Sequence, residues 1–75
     1  MQKWEYAELE VTLGGANSGS KGVVHMYRSD GNHESKNDKP GILFAQLGEQ
    51  GWELTTMQGL TGTRFIYIFK RPIPE

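Results

Sequence analysis

TRFIYIFKR, residues 63–71, decides how this chain folds. Side chains along a strand alternate between its two faces, so Phe65, Tyr67 and Phe69 share one face while Ile66 and Ile68 share the other. Branched and aromatic residues in a row, with Pro72 and Pro74 closing the run, mark a strand. A strand that is apolar on both faces needs cover on both. A single short helix can cover one face only. The other must be closed by a loop or by a second chain.

Working back from that strand, QGLTG (58–62) is a turn and WELTTM (52–57) a third strand, with Trp52, Leu54 and Thr56 on one face. Residues 40–50 form the one predicted helix. Asp38 is the expected N-cap, Pro40 falls in the first turn where a missing N–H costs little, and Gly51 suits the left-handed position after the last turn. At 100° per residue, Leu43, Phe44 and Leu47 make one apolar stripe opposite Gln46, Glu49 and Gln50. Ile42 projects to the polar side. Gly48 weakens the last turn by about 1 kcal/mol relative to Ala, and close approach of that turn to the sheet is its expected benefit.

The first half of the chain carries two more segments. Residues 3–13 read as the first strand, with a slip in phase: Trp4 and Tyr6 are even-numbered, whereas Ala7, Leu9, Val11 and Leu13 are odd. A β-bulge between Tyr6 and Ala7 would bring both groups to one face; without one they lie on opposite faces. GGANSGSKG (14–22) is a flexible connection, and VVHMYR (23–28) a short second strand. SDGNHESKNDK (29–39) has no apolar side chain and reads as exposed loop. The expected fold is a two-layer α+β domain in the order ββαββ, spanning residues 1–75. It has one four-stranded, mostly antiparallel sheet and one helix on one face, with flexible connections at about 14–22 and 29–39. Glu5, Glu8 and Glu10 on the first strand and Arg64, Lys70 and Arg71 on the fourth favour pairing those two strands in the middle of the sheet, in the order 2-1-4-3.

Seventy-five residues make one core. An apolar share of 36% is thin for so short a chain, so either part of the chain stays loose or a partner adds burial. Absence of cysteine excludes disulfide staples, Cys-ligated zinc and thiol chemistry. A net charge of −1 supplies no bulk attraction to nucleic acid or anionic membrane. No apolar run is long enough to span a bilayer as a helix. Met1 leads into a charged amphipathic strand and not a signal peptide, so a cytoplasmic protein is expected.

No catalytic constellation can be assembled, and the expectation is a protein that is not an enzyme and needs no cofactor. His25, His33 and Glu34 are the only candidates for metal or acid–base chemistry. Their spacing matches no metal motif, so surface histidines and no metal site are expected. Glu8 and Glu10 share a polar strand face, where a solvated edge or cross-strand pairing with Lys or Arg is expected. No serine sits in a Gly-x-Ser-x-Gly setting. The glycine-rich run ends in Ser-Lys-Gly ahead of a strand, which is not a phosphate loop. The aromatic fourth strand, with Arg64, Lys70 and Arg71 near it, resembles a stacking platform for single strands. It lacks the glycines of an RNA-recognition strand, and the net charge disfavours nucleic acid.

The favoured reading is therefore a non-catalytic interaction module that forms a homodimer through its sheet. Ile42, Phe65, Ile66, Tyr67, Ile68 and Phe69 are the candidate contact residues. If the aromatic set faces the helix, Ile66 and Ile68 form the contact; otherwise the aromatic set does. The alternative is a binder of a small ligand or of single-stranded nucleic acid through the aromatic fourth strand; no residue pattern names such a ligand.

Three anchors carry a resemblance: Lys3-Trp4-Glu5-Tyr6, then Leu47-Gly48-Glu49-Gln50-Gly51-Trp52-Glu53-Leu54, then Ile68-Phe69-Lys70-Arg71-Pro72. Together they resemble the domain-of-unknown-function family 4177, small cytosolic bacterial proteins that open with Trp-Glu-Tyr, carry Leu-Gly-x-x-Gly-Trp-Glu-Leu and end in Phe-Lys-Arg. The likeness covers about half the chain. Residues 14–39 depart from it, being longer and more polar than the usual connection. The resemblance implies a bacterial source and this fold, and no activity.

Overall fold

The computed structural model of the chain describes residues 2–14, 19–27 and 31–73. Its elements are β1 (Trp4–Thr12), β2 (Lys21–Tyr27), β3 (His33–Asp38), α1 (Pro40–Glu49), β4 (Glu53–Gly59) and β5 (Arg64–Pro72). They form an α+β fold with one antiparallel sheet in the order β3-β2-β1-β5-β4 and one helix. The sheet has five strands, not the four expected from ββαββ. The extra one is β3, inside the segment 29–39 that reads as exposed loop. It pairs with β2 from Gly22↔Asp38 to Tyr27↔His33, and every one of its residues is exposed. Residues 15–18 of the first connection, and 28–30 with Arg28 of the second strand, lie outside the described residues.

β1 is unbroken at the phase slip. Tyr6↔Tyr27 is followed directly by Ala7↔Met26, and Tyr6↔Lys70 by Ala7↔Phe69. Trp4 and Tyr6 therefore lie on the open face of the sheet, and Ala7, Leu9 and Val11 beneath the helix. The irregularity falls in β4 instead, between Leu54 and Thr56, where the Thr55 hydroxyl donates to the Ile68 carbonyl at 3.0 Å. An extra residue resets the alternation. Leu54 opposes Phe69 and Met57 opposes Tyr67 on the helix side, while Thr56 opposes Ile68 on the open side. Leu54 and Thr56 thus do not share a face, contrary to simple alternation.

β1 and β5 are central neighbours, as their opposite charges favour. Glu5 faces Arg71 directly and accepts from its Nε at 2.7 Å, and Arg64 pairs with Glu10 on the diagonal. The helix starts after Lys39, whose extended backbone takes the cap position with no side-chain cap hydrogen bond. Asp38 is not the N-cap; its carboxylate accepts from the Lys39 amide at 2.8 Å. The far end is as expected. Gly51 has φ of 84°, its amide donates to Gly48 at 3.1 Å, and Trp52's amide donates to Leu47 at 3.0 Å, a Schellman closure. Gly48 faces open space, so close approach to the sheet does not explain it.

Ala7, Leu9, Val11, Val24, Leu43, Leu47, Trp52 and Phe69 form the buried core. A Cβ added at Gly22 would lie 2.9 Å from Leu43 Cδ1 and 3.2 Å from the Asp38 carbonyl oxygen. That dent in β2 lets the helix settle over the β2 side of the sheet. Lys36 of β3 donates to Gln46 of the helix at 2.7 Å, tying the same flank.

Candidate functional site

The offset of the helix positions the candidate surface. On the β2 side, Leu43 and Leu47 close the core. On the other side Phe44 reaches β5, meeting Tyr67 edge-on with centroids 4.9 Å apart and Phe69 at 6.0 Å. Beyond Phe44, among the described residues, the helix side of the sheet is uncovered at β4. Leu54 is 55% and Met57 52% exposed there, beside half-buried Phe65 and Tyr67. These side chains are contiguous, because Met57 opposes Tyr67 and Gly59 opposes Phe65.

The six contact candidates divide among four places. Phe69 is in the core. Phe65 and Tyr67 border the uncovered patch. Ile66 and Ile68 lie half-buried on the open face, each between polar neighbours: Ile66 between Glu10 and Gln58, Ile68 between Glu8 and Thr56. Ile42 is 43% exposed and stands apart from the helical stripe, as its position predicts. Leu54 and Met57 were missed as a pair, since a spacing of three on a strand puts residues on opposite faces unless a bulge intervenes.

Phe65, Tyr67 and Phe69 lie on the helix side of β5, with Phe69 buried in the core and Phe65 and Tyr67 half-buried. The open face carries other rings: Trp4, Tyr6, Tyr27, His25 and His33. Lys70 Nζ sits 4.2 Å from the Trp4 ring centroid. Tyr27 and His33 stack nearly parallel at 5.1 Å, too close for a third ring to enter between them. A cleft of about 400 Å³ opens beside the helix start, between Lys21, Gly22 and Val23 of β2 and Asn37, Asp38 and Lys39. Its charged and amide side chains are all exposed.

Among the described residues no group of three or more His, Cys, Asp or Glu is placed to hold a metal ion. None of the helices described there is long and apolar enough to cross a membrane. No family model, curated protein or solved structure matches the chain.

Proposed function

We propose that this chain is a non-catalytic interaction module whose partner is a second copy of itself. The observation that carries the proposal is the uncovered half of the helix side: Leu54 and Met57 stand half-exposed beside Phe65, Tyr67 and Phe44 on the same face that holds the core. Contiguous apolar surface of this kind marks association. A two-fold axis through the patch sets the same side chains against each other, as a closed dimer requires. Each copy must contribute roughly 800 Å² for a standard interface, so the rim of β4 and the exposed helix flank take part. Relative to the contact expected at Ile66 and Ile68, the proposal moves the interface to the other face, because the helix closes only half of its own side. Kinship with family 4177, a bacterial source and a cytoplasmic setting belong to the same proposal, resting on the three sequence anchors alone.

Sedimentation velocity from low to high micromolar concentration tests it. The parent chain is expected to move from monomer to dimer, and Met57→Lys to stay monomeric while keeping its circular-dichroism spectrum. Ile66→Lys, on the open face, is expected to leave the dimer intact. Dissociation by Ile66→Lys but not by Met57→Lys would assign the contact to the open face. A parent that stays monomeric throughout overturns self-association altogether.

A further inference from the structure

On the opposite face of the sheet, two residues eight apart in sequence come together. His25 of β2 and His33 of β3 are diagonal neighbours across the β2–β3 ladder: His25 opposes Ser35 and His33 opposes Tyr27. Their facing nitrogens, Nδ1 of His25 and Nε2 of His33, are 3.2 Å apart.

We infer that these two imidazoles form a bidentate site for a divalent transition-metal ion of the zinc, nickel and copper class. Three observations support it. First, the bite is right. Two zinc–nitrogen bonds of about 2.0–2.1 Å at a tetrahedral angle place the nitrogens about 3.3–3.4 Å apart, against the observed 3.2 Å. Second, the rings are held in place. His33 stacks on Tyr27 with planes 4° apart, and His25 stacks on His33 at 5.3 Å, all on a hydrogen-bonded sheet. Third, Glu8 stands directly opposite His25 in the next strand of the same face, and its charge favours a cation there.

Nitrogen donors select this class of ion over magnesium and calcium, which prefer oxygen. In the metal-free pair one facing nitrogen carries a proton and the other accepts it. Metal binding requires the tautomer in which each ring holds its proton on the outer nitrogen, so that both facing lone pairs become ligands. With two protein ligands, the other coordination positions belong to water or to a ligand from outside the chain. The site lies on the face away from the proposed dimer patch, so the two proposals stand or fall separately.

The test is calorimetric titration of the intact chain with zinc chloride near neutral pH, alongside NMR of the histidine ring nitrogens. One equivalent of zinc per chain is expected, with Nδ1 of His25 and Nε2 of His33 shifting together. His25→Ala and His33→Ala should each weaken binding by at least about tenfold, since loss of a mere outer-shell partner already costs that much. The double variant should bind no better than either single one, and magnesium should give no shift. Zinc binding that survives His33→Ala undiminished would overturn the site. So would ring-nitrogen shifts confined to one histidine, a result read on the parent chain and independent of how any variant folds.

Discussion

Arg71 shows how one side chain joins three parts of the molecule. Its guanidinium pairs with Glu5, donates from Nη1 to the Gln50 carbonyl at 3.0 Å and lies 4.3 Å over the Trp52 ring. A cation at the helix C-terminus also meets the negative end of the helix dipole. A lysine cannot reproduce the planar fork or the stacking, so Arg71→Lys should destabilise by about 1.5–3 kcal/mol, the range for hydrogen bonds to charged groups. Urea unfolding will read it, and an unchanged midpoint would show the contacts to be dispensable. Trp52, only 6% exposed, plugs the core just after the helix stop. Trp52→Ala should cost about 3–5 kcal/mol, close to the whole stability of a small domain. Its indole Nε1–H has no hydrogen-bond partner among the described residues, so ring packing and Arg71 carry its contribution. Gly22→Ala should cost about 1–3 kcal/mol by overpacking, because the new methyl meets Leu43 and the Asp38 carbonyl. Thermal unfolding near the parent's would mean that the helix shifts freely.

At the scale of elements, the two sheet edges differ. β3 is bounded by solvent on both faces and carries Glu34, Lys36 and Asp38, charges that discourage pairing with a foreign strand. β4 carries a single charge, Glu53, and relies on its bulge at Thr55 for irregularity. With no core residue of its own, β3 should open locally at a free energy well below that of global unfolding. Native-state hydrogen exchange is expected to show the paired amides of β3 exchanging much faster than those of β1 and β5. Equal protection across all strands would mean that β3 opens only when the whole sheet does.

For the whole molecule, the helix offset is the governing feature. The helix covers the β2 side of its face and leaves the β4 side to a partner. Association linked to folding makes stability depend on concentration. If the dimer forms as proposed, a hundredfold rise in protein concentration should add up to about 2.7 kcal/mol, and the melting temperature should climb by several degrees. Calorimetry across that range will show it. A melting temperature independent of concentration would count against a dimer coupled to folding, whichever face it used.

The sequence by itself determined the helix and its Gly51 stop, the buried stripe of Leu43 and Leu47, the Trp52 plug, and the pairing of β1 with β5 through opposite charges. Each of these is a local rule: a capping residue, a periodicity, a complementary pair. Tertiary structure alone decided the rest. β3 was illegible because hydrophobic alternation reports burial, and a strand exposed on both faces has none; it exists because β2 offers a free ladder. The shared face of Leu54 and Met57 depends on a bulge, which changes the phase without changing any residue type. The place of the helix across the sheet is a packing outcome, set where Gly22 lacks a Cβ and admits Leu43. His25 and His33 meet because the β2–β3 register brings them together, a contact between segments that no spacing along the chain encodes.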